Sequence, residues 1–524
     1  MVLVFALLLG YILVDAPLLA FVSVCGVVWC VTLPNHGRLG VCLCISLAQS
    51  ALIIPFLPGP IYVAEAAALL TISAVPLIVV FKNYSEDTGW LFQRNKLLFL
   101  GLLIYGITLV GIVMIRGVSS GALGGGGQGG AKVYFRQFVY GLVPILFLFV
   151  SVKEKSLMKL VALYFLMPLT FLVSELALVF APTIAAWIVA FLALPTDSLF
   201  FNDSASSLTF RLGFRRLQSL FLVCPNLVFF LMVCFSARTV LGRRSAVLIP
   251  TILGLLILGL ASGHRATLIQ TGLVLVVIAV IQRVFNARNV LLLSMGLLLG
   301  AAFIYGSISH LPAAMQRAVS FLPGLDIDTV VAVDAKGTWD GRIEVTKRGI
   351  ELIPQYFWLG RGFTRYTDIV PYSLEDVNST EFALLQGHFL NGFVGSLVNT
   401  GIWGAIGISI FLLGGAALAV RVLKQSRYFG FEDPVSRIGC VISSLYLVNV
   451  AFFYIAEGDV DGALKRFGVH IGILFACERI FRRKRLLESR DSSGIDAAES
   501  EPEIASLDGR LIPAATERLR HGGE

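Results

Sequence analysis

Charge is scarce in this sequence: 14% of its 524 residues are Asp, Glu, Lys or Arg, 57% are hydrophobic, and mean hydropathy is +0.84. Too little polar surface is available to coat a soluble globular domain, which excludes that class. The short alternating segments of a membrane β-barrel are also missing, because the apolar runs are continuous, as at 97–115. The histidines His36, His264, His310, His388, His470 and His521 form no His-Glu-x-x-His zinc signature, and nothing reads as a serine-hydrolase elbow. Gly124 to Gly127, with Gly129 and Gly130, lack the Gly-Lys-Ser/Thr that completes a phosphate loop, so they read as linker. The eight cysteines lie in or beside apolar runs without metal-ligand spacing, as small buried hydrophobes do. No cleavable leader is evident, since the first apolar run passes through Asp15 into a second and a third.

What is abundant is apolar runs. They lie near 1–14, 17–33, 40–57, 61–81, 97–115, 138–152, 160–180, 218–236, 246–262, 267–282, 290–307, 402–420, 437–456 and 466–480. A helical crossing takes about 20 apolar residues, so the pattern predicts an all-α integral membrane protein. Its expected form is a polytopic bundle of about 12–14 transmembrane helices, within 1–480. A net charge of +8 could suit nucleic acid, but the basic residues gather at the ends of apolar runs, where the positive-inside rule expects them. No nucleic-acid partner is implied. Arg38; Lys82, Arg94 and Lys96; Lys153, Lys155 and Lys159; Arg238, Arg243 and Arg244; Arg283 and Arg288; Arg421, Lys424, Arg427 and Arg437; and the run 482–485 mark alternate loops as cytoplasmic, with both termini. The stretch 308–400 then becomes one large, partly helical non-cytoplasmic loop. Residues 481–524, polar and acidic with few aromatics, read as a disordered cytoplasmic tail.

Seven arginines break the charge rule by landing on the non-cytoplasmic side: Arg211, Arg215, Arg216, Arg265, Arg342, Arg348 and Arg361. Burying an Arg in a bilayer costs about 2.5–3.5 kcal/mol on insertion scales, so those near crossing ends need water, an acid or an anionic ligand. Guanidinium binds phosphate through paired hydrogen bonds, and the group points to an anion site.

Four short stretches carry a family resemblance. Arg216 precedes Pro225-Asn226 at the opening of a crossing, with Ser219 between them. Ser262-Gly263-His264-Arg265-Ala266 forms a hairpin tip between two crossings. Arg342 sits in a helical pattern that Asp340 can cap and Pro354 breaks, with Thr346 and Gly349 on its face, and Gly360-Arg361-Gly362-Phe363 follows as a tight turn. Last come His388 and Asn391, then Thr400-Gly401 and Gly404 running into a crossing. Taken in order, these resemble the O-antigen ligase and O-antigen polymerase family of membrane glycan transferases over about 205–420. Ser219 stands where the family commonly has Gly, and His264 and Ala266 replace its small residue and Gly, so Arg265 alone carries over from the second motif. The family more often shows His-Asn directly, which His388 and Asn391 do not.

The resemblance implies an inverting, metal-independent glycosyltransferase of the bacterial inner membrane, without cofactor. It would move a glycan from a polyprenyl diphosphate carrier to a glycolipid or other acceptor on the periplasmic face. A polymerase using the same residues is the alternative. From another class comes a lipid-linked glycan flippase, which broken helices and midplane charges would favour. Chemically, a departing diphosphate gathers negative charge that fixed guanidinium donors stabilise: Arg265 and Arg342, with Arg216 as a further diphosphate contact. The attacking hydroxyl must lose a proton, which suits an imidazole titrating near neutrality, His388. Asp326 with Asp328, and Asp459 with Asp461, fit the short Asp-x-Asp pattern of metal-dependent transferases, a pattern that ordinary loop carboxylates share.

Overall fold

The computed structural model describes residues 24, 36–55, 61–80, 87–117, 130–194, 217–242, 244–363, 384, 387–455, 458 and 460–492. Its helices are α1 His36–Leu47, α2 Val63–Val80, α3 Thr88–Arg94, α4 Lys96–Arg116, α5 Gly130–Phe149, α6 Glu154–Leu166, α7 Leu169–Phe180, α8 Pro182–Val189 and α9 Ser219–Cys234. Then follow α10 Ala237–Val240, α11 Ser245–Leu260, α12 Arg265–Ile281, α13 Ala287–Ser307, α14 Ala313–Val319, α15 Thr329–Tyr356, α16 Gly392–Phe429, α17 Pro434–Ile455 and α18 Val460–Ser492. Among the described residues β pairing is confined to two isolated bridges, Leu52 with Leu192 and Ile53 with Tyr62. The protein is an all-α polytopic membrane protein.

Five stretches among the described residues are long and apolar enough to cross a bilayer: Lys96–Arg116, Glu154–Phe180, Asn289–His310, Gly392–Phe429 and Pro434–Ile455. Four shorter apolar helices, Val133–Phe149, Ser219–Cys234, Ser245–Leu260 and Arg265–Ile281, join them. Helix α4 shows why the apolar runs need lipid. Leu97, Leu100, Leu103, Ile107, Val110 and Met114 form an exposed stripe, whereas Leu98, Gly101, Tyr105, Thr108 and Ile112 are buried. In water such a stripe invites aggregation; against acyl chains it is the solvent-facing side.

The structure departs from the sequence expectation in several places. The run 40–57 is not one crossing, because α1 ends at Leu47 and residues 51–54 extend to bridge Leu192 and Tyr62. The crossing expected from 138 begins at Gly130, so the helix takes the last glycine of the linker. Asp340 does not cap its helix: α15 starts eleven residues earlier in sequence, where Asp328 accepts the Val330 N–H at 2.8 Å. Pro354 does not break α15 either, since the helix ends only at Tyr356. The tail expected to lack structure from 481 is helical as far as Ser492. The expected crossings 1–14 and 17–33, apart from residue 24, lie outside the described residues. The fold has two compact units, Met1–Ile480 and Phe481–Glu524.

Small residues set the packing of the first unit. Helices α4 and α16 run antiparallel, and Gly101, Gly407 and Gly414 let their backbones touch; in lipid, close backbone approach replaces the hydrophobic drive for helix association. A Cβ at Gly407 would stand 2.6 Å from the Tyr105 backbone nitrogen, whereas one at Gly111 on the same α4 would meet open space. Gly407→Ala is therefore expected to lose about 1–3 kcal/mol of stability and Gly111→Ala to stay near wild type. Thermal unfolding in detergent checks this, and equal melting temperatures would refute the packing argument.

This antiparallel pair also sorts the charges. At one end Glu478, fully buried, receives Arg94 and Arg421 at 3.1 Å each, and Arg421 also donates to the Asn95 side chain at 2.5 Å. The neighbouring Arg479 donates to the carbonyls of Val150 and Leu148, both at 2.8 Å. At the other end of α4, about 31 Å away at 1.5 Å per residue, Arg116 lies 5.9 Å from the Tyr356 ring.

Candidate functional site

The end of the bundle marked by Arg116 is built around α15. Asp334, Lys336, Asp340, Arg342, Glu344, Lys347, Arg348 and Glu351 make this helix too polar to cross a bilayer. It is held at both ends of its length by the hairpins it lies against.

Near its start α15 meets the tip between α11 and α12. Gly263 takes φ +75°, a left-handed conformation that favours glycine, and so turns the chain into α12. Arg265 begins α12, just before the apolar run 267–282, and donates to the Ala335 carbonyl of α15 at 2.5 Å. From α14, Arg317 pairs with Asp334 at 2.5 Å and donates to the Gly263 carbonyl at 3.1 Å. Two arginines thus lash the tip to one turn of α15. Arg342 is two turns beyond Ala335, and helical side chains lean toward the N-terminus, which aims it back toward Arg265. Burial lowers the Arg265 pKa, Arg317 and Arg342 push it the same way, and Asp334 opposes them. Among the described residues that act on Arg265, two further cations stand with one carboxylate, an arrangement that favours an arriving anion.

Farther along α15, the face of Arg342 receives the chain around His388. Thr346, one turn on, donates to the Phe389 carbonyl at 3.4 Å, and a Cβ at Gly349 would stand 2.7 Å from the Phe389 ring. His388 is half-buried between Gly387, at φ +78°, and fully buried Phe389. Leu390 adopts φ +55°, which costs a side-chain-bearing residue about 1–3 kcal/mol. Packing holds the turn in place: Phe389, Val394 and Val398 form a core with Leu352, Ile353, Tyr356 and Leu384. Asn391 is a helix cap, accepting from the Phe393 and Val394 N–H groups, both at 3.1 Å. That capping role accounts for the residue without chemistry.

The Gly360-Arg361-Gly362 turn locks onto a kink in α16. The Arg361 N–H donates to the Val398 carbonyl at 2.8 Å and the Gly362 N–H to the Asn399 carbonyl at 2.9 Å. Gly401 breaks the helical backbone at φ +68°, and a Cβ on Gly360 would stand 2.7 Å from its nitrogen. Glycine is needed on both sides of this contact. The Arg361 guanidinium lies 5.3 Å from the Phe389 ring, so it braces the turn that presents His388.

Of the predicted site residues, Arg265, from α12, bonds α15 two turns before Arg342, and Phe389, next to His388, packs on the face that Arg342 shares with Thr346 and Gly349. Arg216, with Arg211 and Arg215, lies outside the described residues. Arg348 belongs to an exposed ion-pair ladder with Glu344 at 3.1 Å and Glu351 at 3.6 Å, not to the cationic group. Asp326 is exposed and Asp328 is committed to capping α15. The sequence reading missed Arg317 and Arg116, although both are further arginines on the side of the chain where the charge rule expects few.

Residues 250–409 match the family model described as O-antigen ligase. The matched stretch contains Arg265, Arg342 and His388, and Arg216 precedes it. None of the curated proteins compared with the chain matches it. The match and the apolar helices mark a multi-pass bacterial membrane protein with the character of a glycan-transferring enzyme.

Proposed function

We propose, from the O-antigen ligase likeness of residues 250–409, that the protein moves a glycan from a polyprenyl diphosphate carrier to a glycolipid or related acceptor. The observation that carries this reading is the binding of Arg265 to α15 two turns before Arg342, with the chain next to His388 bonded to the same helix one turn after Arg342. Arg265 and Arg342 hold the diphosphate, and Arg216 adds a contact. The acceptor hydroxyl attacks the anomeric carbon as the carbon–oxygen bond to the diphosphate breaks. His388 takes the hydroxyl proton, the diphosphate leaves with the bonding electrons, and displacement from the opposite face inverts the anomeric centre.

Turnover of a synthetic polyprenyl diphosphate glycan by the purified protein tests the reading. Transfer with inversion, undiminished by EDTA, is the expected result. No transfer to any lipid or glycan acceptor would overturn it, and loss of transfer in EDTA would move the metal-dependent mechanism ahead.

The same reading puts α15 outside the cytoplasm, because the crossings on either side are anchored by Arg283 and Arg288 before it and by Arg421, Lys424 and Arg427 after it. Asp340 is exposed on α15. An Asp340→Cys variant in intact cells should react with a membrane-impermeant thiol reagent above the wild-type background. Reaction only after the inner face is opened would place the site on the wrong side of the membrane.

A further inference from the structure

A second group of charges lies on α2, α5 and α18. Glu65, in the first turn of α2, is 1% exposed and accepts from the Arg136 Nε of α5 at 2.6 Å and from the Tyr62 N–H at 3.2 Å. The Arg136 guanidinium lies 5.4 Å from the Tyr62 ring. Lys465 of α18 places its Nζ 4.7 Å from the same ring and 5.7 Å from the ring of Tyr140. Arg466 follows it, exposed, and makes no ion pair with a described residue. Among the described side chains, Arg136 and Lys465 gather around the one carboxylate of Glu65, and Arg466 adds a further positive charge at the next position of α18.

Two buried polar atoms are left over beside these cations. The Tyr140 hydroxyl and His470 Nδ1 have no partner among the described residues, although Tyr140 is 3% exposed and His470 1%. His470 lies one turn along α18 from Arg466, with its Nε2 3.0 Å from the Tyr164 hydroxyl. A buried polar atom without a partner is costly, and so is a cation in an apolar chain without a counter-charge. One anion bearing several oxygens would relieve both, since it takes hydrogen bonds from ammonium, guanidinium and phenol together.

The group lies toward the Arg116 end of the bundle: Gln137, beside Arg136, donates to the Val460 carbonyl at 2.7 Å, and on the same helix the Tyr134 hydroxyl accepts the Phe363 N–H at 3.1 Å. Aromatic rings alternating with cations at a helix end are the arrangement of a bilayer interface, where rings meet acyl and glycerol groups and cations meet phosphates. We propose that Arg136, Lys465, Arg466 and the Tyr140 hydroxyl form a second anion site that takes the phosphate of a lipid headgroup. The site stands whether or not the protein transfers glycan.

Native mass spectrometry of the full-length protein tests it, with titrations of phosphatidic acid, of diacylglycerol with the same chains, and of inorganic phosphate. Phosphatidic acid should bind, and diacylglycerol and inorganic phosphate should not displace it. Lys465→Met combined with Arg466→Gln should weaken phosphatidic acid binding by about tenfold or more, and Lys465→Arg combined with Arg466→Lys should restore it. Unchanged binding in the Met/Gln variant overturns the site, and displacement by inorganic phosphate at equal concentration overturns its assignment to a lipid. Should the Met/Gln variant fail to fold, Tyr140→Phe decides: it removes one hydroxyl and should weaken binding several-fold, and wild-type affinity would refute the proposal.

Discussion

His388→Ala is expected to lower the single-turnover rate of transfer by about 100-fold to 10,000-fold, the usual contribution of a general base, while donor affinity stays near wild type. The separation of the two effects follows from where the histidine sits. Its turn is held by Phe389 in the core below, by Arg361 5.3 Å from the Phe389 ring, and by Asn391 capping α16. None of these supports depends on the imidazole, so alanine at 388 leaves the turn in place and the cationic group on α15 untouched. Donor affinity by equilibrium binding and rate by rapid mixing separate the two. Transfer at the wild-type rate would mean that His388 is not the base, and parallel loss of rate and donor affinity would make it a binding residue.

The helical membrane fold was legible because lipid imposes one rule everywhere: a crossing backbone must satisfy its own hydrogen bonds, so apolar runs become helices. The same rule explains where the reading slipped. Residues 51–54 are as apolar as a crossing but extend, because their backbone groups bond Phe191, Ile61 and Ala193 across the fold, contacts that no local pattern announces. Asp340 looked like a helix cap because it precedes Arg342 at the right spacing, yet α15 is continuous past it; Asp328 has the same chemistry and lies where the chain turns.

The site was legible in part for an electrostatic reason. Arginines on the poorly charged side of the sequence stood out one by one, and Arg265 does reach α15, two turns before Arg342. What the sequence could not show was which cations already have internal partners. Arg348 is occupied by Glu344 and Glu351, whereas Arg317, passed over in the sequence reading, joins Asp334 to the Gly263 carbonyl and fixes the tip from which Arg265 extends. The glycines of the Gly360-Arg361-Gly362 turn were recognisable as a turn, but their tight contact with Gly401 depends on a kink in α16 that appears only in three dimensions.

Arg342→Lys is expected to lower transfer strongly while membrane insertion and protein level stay near wild type, because lysine keeps the charge but loses the planar fork that binds two phosphate oxygens at once. Arg342 is half-buried on a helix surface, so the shorter contact is not compensated by a change in packing. Loss of one preorganised donor to a developing anion typically costs about 100-fold to 1,000-fold in rate. Arg265→Ala should behave differently. Its guanidinium already donates to the Ala335 carbonyl at 2.5 Å, so removing it both subtracts a diphosphate contact and frees the hairpin tip from α15, and donor affinity and rate should fall together. Arg317→Ala separates these two consequences: it cuts the bonds to Asp334 and the Gly263 carbonyl but leaves the Arg265 guanidinium in the chain. If the tip serves only to hold Arg265 in place, Arg317→Ala should reproduce part of the Arg265→Ala loss, and raising the donor concentration should recover much of its rate. Donor titrations of the three variants decide among these outcomes. Wild-type transfer by Arg342→Lys would remove bidentate phosphate binding from the mechanism, and wild-type donor affinity in Arg265→Ala would remove Arg265 from the diphosphate site.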